Sequence, residues 1–124
     1  MGVAKLLIIQ NICSLNTGLL SFTNTDSSAT FYGLSVNRLK IGRKVQYRFN
    51  GQVTTAIPVA WNNFTVITVD ALKPAFNQVV GFVLSTGKTM SANCNSNGTI
   101  TIKPSAAIPV GEYVQGCFEY YCNG

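Results

Sequence analysis

The sequence predicts an all-β protein, an antiparallel β-sandwich or barrel of about nine to ten short strands. Three observations carry that expectation. Segments of alternating apolar and polar residues recur, most clearly where Val45, Tyr47 and Phe49 face one way and Lys44, Gln46 and Arg48 the other. Turn-forming residues separate these segments roughly every eight to twelve positions. No stretch combines a helical apolar period with capping residues. The chain of 124 residues is the length of one domain, read here as a single β-domain over residues 1–124.

Each element has its own justification. Val3 to Ile12 is a near-continuous apolar run, the pattern of a strand covered on both faces. Leu19 to Thr23 reads as a short strand and Asn24 to Ser28 as a polar loop. Thr30 to Val36 is extended. Asn37 to Gly42 alternates Leu39 and Ile41 against Arg38 and Lys40. After the strand ending at Phe49, Asn50-Gly51 is a type I′ turn signal, so Gln52 to Ala56 is expected to return as its hairpin partner. Trp61-Asn62-Asn63 reads as a loop tip, and Phe64 to Val69 as a β-branched strand. Pro74 makes Ala71 to Ala75 a connection. Val79 to Leu84 is a buried strand in which Gly81 signals a bulge or a close backbone approach. Lys88 to Cys94 and Thr99 to Lys103 flank a second type I′ signal at Asn97-Gly98. An aromatic-rich strand, Glu112 to Tyr121, completes the set, with a bulge expected at Gly116-Cys117.

Composition narrows the function classes. Charged residues are only 10% of the chain against 47% hydrophobic ones, so the polar surface is built from Ser, Thr, Asn and Gln. Such a surface repels its own copies weakly and favours permanent assembly. The net charge is +5, concentrated between Arg38 and Arg48. There is no histidine, which removes the commonest general base and the commonest metal ligand together. Cys13, Cys94, Cys117 and Cys122 match neither a redox nor a zinc spacing. They read as small buried residues in reduced form, with a disulfide such as Cys94 to Cys117 open if the protein matures outside the cell. The apolar run Leu6 to Ile9 is too short for a signal peptide, and no segment is apolar enough to span a membrane.

No catalytic set emerges. Glu112 and Glu119 would lie on opposite faces of one strand, roughly 23 Å apart, too far for a glycosidase pair. Asp26 and Asp70 lie in or near loops, and their separation stays open. There is no nucleophile elbow, phosphate loop or metal cluster, so the chain reads as a non-enzyme without cofactors. Two binding candidates remain. Trp61, Asn62 and Asn63 offer an aromatic face and two amides to a neutral sugar or a protein surface. Arg38, Lys40, Arg43, Lys44 and Arg48 form a candidate basic docking face for an acidic protein neighbour. A nucleic-acid barrel would need base-stacking aromatics beside those cations, whereas Tyr47 and Phe49 share the face opposite Lys44 and Arg48.

The second half carries a resemblance. Leu72-Lys73-Pro74-Ala75-Phe76, an apolar strand, Asn97-Gly98-Thr99-Ile100-Thr101-Ile102, and Gly111-Glu112-Tyr113-Val114-Gln115-Gly116-Cys117-Phe118-Glu119-Tyr120 follow one another. That succession, residues 71–121, resembles the C-terminal β-domains of bacteriophage tail-fibre and receptor-binding proteins. The corner departs from the family's pattern, since Lys73 separates Leu72 from the proline. The resemblance implies a virion structural protein made in the host cytoplasm. It would be a small fibre-head, head-fibre or decoration subunit, a homotrimer touching other virion proteins and host-surface glycan. The basic face, or the apolar N-terminal strand added to a neighbour's sheet edge, would supply attachment. The alternatives are a secreted carbohydrate-binding module and an OB-like nucleic-acid-binding barrel.

Overall fold

The computed structural model describes residues 22–26 and 30–124. The expected strand Val3 to Ile12, most of Leu19 to Thr23 and Cys13 lie outside the described residues.

The fold is an all-β sandwich of two antiparallel sheets. The nine described strands are β1 (Phe22–Asp26), β2 (Thr30–Phe31), β3 (Leu34–Ile41), β4 (Lys44–Gln52), β5 (Asn62–Val66), β6 (Gln78–Val83), β7 (Thr89–Cys94), β8 (Thr99–Pro104) and β9 (Tyr113–Tyr121). The first sheet runs β1-β3-β4-β9, with β2 also paired to β3; the second runs β5-β8-β7-β6. In the second sheet β6, β7 and β8 form a meander and β5 lies beside β8, a Greek-key order. Two crossovers link the sheets, one from β4 to β5 and one from β8 to β9. They are tied together by reciprocal hydrogen bonds between Ile57 and Ile108, at 2.9 and 3.0 Å.

Alternation produces the core directly. Inward positions of the first sheet supply Leu34, Val36, Val45, Tyr47, Phe49, Val114, Phe118 and Tyr120, all buried. The second sheet answers with Met90, Ala92, Cys94, Ile100 and Ile102. Aromatic rings bind the two layers. Phe64 of β5 lies 5.2 Å from the ring of Tyr47 and 5.5 Å from that of Phe118, while Phe82 of β6 stacks on Phe118 at 5.2 Å. Such edge and offset contacts add stabilisation beyond the area they bury. Tyr120 donates its hydroxyl to the Leu72 carbonyl at 2.6 Å, which joins β9 to the 3-10 turn Asp70–Leu72.

Several local expectations are corrected. Asn50-Gly51 is not a hairpin turn: β4 runs through it, pairing Asn50 with Gln115 and Gly51 with Val114. The reason is parity, because Val45, Tyr47, Phe49, Gly51 and Val53 keep one continuous inward series. Gly51 takes φ +134 within the strand with Leu34 packed against it, so its conformational freedom serves the strand rather than a reversal. The hairpin that does form is Ile41-Gly42-Arg43-Lys44, with a left-handed glycine at the first central position, the type II′ pattern. A second two-residue loop, Tyr32-Gly33, divides the extended segment expected over Thr30 to Val36. The polar loop expected over Asn24 to Ser28 instead begins as strand, since β1 reaches Asp26.

At the β7–β8 connection Gly98 alone has positive φ, so the turn is closed by a left-handed glycine rather than being type I′. The Ile67 carbonyl occupies the space where a Gly98 side chain would stand. Asn62 and Asn63 belong to β5, which ends at Val66, rather than to a loop tip before a strand reaching Val69. No bulge interrupts β9, whose nine residues pair without a break. Gly116 is there because Phe49 and Leu84 fill its side-chain space: a Cβ would lie 2.9 and 2.7 Å from their atoms. Gly81 is neither a bulge nor a close approach, for β6 pairs in unbroken register and nothing lies within 4 Å of its side-chain position. Cys94 and Cys122 are free and buried, as expected of reduced cysteines, but Cys117 is disulfide-bonded. A Cys94–Cys117 bridge is therefore excluded.

Candidate functional site

The aromatic candidate does assemble into a site. Trp61, Asn62 and Asn63 line an open depression of about 480 Å³ together with Thr30, Phe31 and Tyr32. Its parts come from both sheets. The Tyr32-Gly33 loop of the first sheet reaches over to the start of β5, and the Tyr32 hydroxyl donates to Asn62 Oδ1 at 2.9 Å. Tyr32 holds a left-handed backbone at φ +53, uncommon for a bulky side chain and retained because its surroundings hold it there. Its carbonyl accepts from the Thr54 amide at 3.0 Å, and its ring meets Phe31 edge to face at 4.9 Å.

The three sequence candidates play different roles in this depression. Asn62 is buried, and its amide donates to the Ala60 carbonyl at 2.9 Å and the Pro58 carbonyl at 3.2 Å while accepting from Tyr32. With both ends engaged, Asn62 holds the loop in shape and has little left for a ligand. Trp61 is half-exposed, with Lys103 Nζ 6.0 Å from its ring centroid. Asn63 is exposed opposite Thr101 on the outer face of the second sheet. Trp61 thus offers a ring face, flanked by the Tyr32 hydroxyl, the Asn63 amide and one cation. That combination suits a hydroxylated, uncharged or weakly anionic group. The missed participant is Tyr32. Its only signal in the sequence is the glycine that follows it between Phe31 and Leu34.

The five cations do not form one face. Register places Arg38 opposite Tyr47 and Lys40 opposite Val45, on the inward side of β3, while Lys44 and Arg48 point outward from β4 and Arg43 sits in the hairpin. Arg38 Nη1 donates to the Tyr47 hydroxyl at 3.4 Å, and Lys40 Nζ donates to the carbonyls of Gly42 and Gly124 at 2.7 Å each. Lys44 pairs with Glu119 at 3.1 Å and lies over the Tyr121 ring at 5.2 Å. The hydrogen bond to Glu119 raises the Lys44 ammonium above its usual range, opposed by partial burial. The cause of the misreading is visible in β3: apolar residues fall on even positions up to Val36 and on odd positions from Leu39, while the strand itself keeps one unbroken register. Cations and apolar residues therefore exchange faces halfway along.

Two further carboxylates are also engaged. Glu112 pairs with Lys88 at 3.2 Å and Asp70 with Lys73 at 3.1 Å. Among the described residues no group of three His, Cys, Asp or Glu side chains could hold a metal ion, and no helix is long and apolar enough to cross a membrane. Burial pushes the Cys94 thiol up to about 12, so it stays protonated and unreactive at neutral pH. No protein-family model matches this chain, and no curated protein matches it either.

Proposed function

We propose that this protein is a non-enzymatic structural subunit of a bacteriophage particle, a small fibre-head, head-fibre or decoration protein that assembles with copies of itself and touches host glycan. The observation that supports it is the outer face of the second sheet. The segments of β5, β6, β7 and β8 contain a single charged residue, Lys103. Val66, Val79 and Val83 are 67, 70 and 67% exposed on that sheet, among Thr, Ser and Asn side chains. Its edge strand β6, Gln78–Val83, has neither a charge nor a proline, and hydrogen bonds tie only its two ends to β9, Gln78 to Tyr121 and the following Ser85 to Gln115. A free monomer would be prone to pair along such a face, and neighbouring copies in a particle would cover it. The trimer and the virion location rest on the resemblance of residues 71–121 to tail-fibre domains.

Light scattering on the purified chain tests the reading. A stable trimer or higher assembly is expected, and Val79→Lys together with Val83→Lys should release folded monomer. A strict monomer at all concentrations would sink it. A second reading, a secreted carbohydrate-binding module, is favoured by the Trp61 depression. A glycan array with Trp61→Ala as control addresses it, with at least a tenfold loss of signal expected of a ring that stacks on sugar. The OB-like reading finds no support, because Tyr47 and Phe49 are buried in the core and offer no base a stacking surface.

A further inference from the structure

A second cavity, of about 540 Å³, opens at the end of the first sheet opposite Lys44, where β4 and β9 meet the end of β6. Arg48 of β4 lines it with Asn37 of β3, Asn50 of β4, Gln115 of β9 and Ser85 beyond β6. Register explains the gathering: Asn37 pairs with Arg48 and Asn50 with Gln115, so four polar side chains stand on neighbouring outward positions. Phe49, Val83, Leu84 and Gly116 supply apolar lining, and the disulfide-bonded Cys117 completes it.

Arg48 is the unusual member. Its Nε is buried without a hydrogen-bond partner. No described carboxylate reaches it: Glu119 is held by Lys44, Glu112 by Lys88 and Asp70 by Lys73. A guanidinium presents planar paired donors that fit a carboxylate, and a buried donor left unpaired is costly. The side-chain amides of Asn37, Asn50 and Gln115 make no hydrogen bond among the described residues, and Ser85 Oγ accepts from the Gln115 backbone at 2.9 Å, leaving its own proton to donate. We propose that this cavity binds the carboxylate of an acidic sugar, with Arg48 gripping the anion and the surrounding amides and Ser85 hydroxyl meeting ring hydroxyls. Three features select that class. The volume is that of a small-molecule site. Among the described residues one cation, Arg48, lines the cavity, which matches a singly charged carboxylate and leaves a phosphate dianion half compensated. The remaining polar groups are neutral donors and acceptors, suited to hydroxyls rather than to further charge.

The test is calorimetric titration of the full chain with glucuronate and N-acetylneuraminate, against glucose, acetylaspartate and inorganic phosphate. At least one acidic sugar should bind about tenfold or more tightly than glucose. Arg48→Gln should remove that preference. Asn50→Asp should do the same by placing a carboxylate beside the guanidinium, at an exposed position that leaves the core untouched, so it decides the matter if Arg48→Gln unfolds. Equal binding of glucose, tighter binding of phosphate or acetylaspartate, absence of acidic-sugar binding at millimolar concentration, or full binding by folded Asn50→Asp would each overturn the assignment. Val83 lines the cavity and also belongs to the face proposed for assembly, so the titration is run beside light scattering: a monomer that binds acidic sugar keeps this site while refuting the particle reading.

Discussion

The two sheets share one core but differ on their outer faces. The second sheet turns Thr, Ser, Asn and Val side chains outward with a single lysine, and its valines stand open. The first sheet buries its outer centre: Leu39 is 3% and Gln46 0% exposed, though both point away from the core. Every described side-chain atom that is buried without a hydrogen bond lies on this outward side of β4 and β9: both polar ends of Gln46, Arg48 Nε and Glu119 Oε2. The disulfide-bonded Cys117 stands on it too, in register with Arg48. One outer face is covered and carries unmet polar groups, whereas the other is exposed and carries a single charge, Lys103. The first has room for a specific ligand at its open end. The second suits broad contact with like surfaces.

The largest expected effect that would break this contrast is at Leu39. Leu39→Ala should cost about 2–4 kcal/mol in denaturant unfolding, as for a core leucine, although its side chain is on an outer face. Val79→Thr on the other sheet should change the stability of the isolated chain by less than about 0.5 kcal/mol. Equal losses would erase the distinction.

Alkaline unfolding sharpens it from the shared interior. Burial, with smaller contributions from neighbouring Tyr47 and Cys94, holds the Tyr120 phenol far above its ordinary value of 10.0, and burial alone lifts Cys94 from 9.0 to about 12. Both groups are neutral when protonated. Their contribution is complete below the unfolded values and is lost as pH rises, from about 9 for the thiol and about 10 for the phenol. Stability should therefore fall steeply above pH 10. Tyr120→Phe should flatten that fall while costing about 1 kcal/mol at pH 7 through the lost bond to Leu72. An unchanged alkaline slope in the variant would remove Tyr120 from the account.

The smallest effect concerns Gln46. Replacing it by Leu removes two buried polar atoms that lack partners, and should leave stability unchanged or raise it by up to about 1 kcal/mol. A loss above that size would show that the amide has a partner on the covered face.

Much of the architecture was legible in the chain. The alternation at Val45, Tyr47 and Phe49 identified β4 and its inward face, and the parity of Ile100 and Ile102 did the same for β8. The strands β6 to β9 were placed to within a few residues. What misled was local turn chemistry. Asn50-Gly51 carries the strongest short-range hairpin signal, yet β4 passes through it, because nine residues of β9 offer a longer partner than the following Gln52 to Ala56. Gly42, the true turn, carried the weaker signal. For the candidate sites, the grouping of Trp61 with Asn62 and Asn63 was legible, but Tyr32 was not, since it arrives from 30 residues away across the sandwich.

By itself the sequence determined the all-β class, the alternating core positions and the absence of histidine chemistry. Each follows from residue type and a period of two, which are local properties. Only the tertiary structure decided which strands pair, and with that which side each cation takes. A cation's face depends on strand register against partners dozens of residues away, and β3 shows that apolar parity can switch faces while register holds. Arg48 and Asn37 become neighbours through that register, and Gln115 joins them from the far end of the chain.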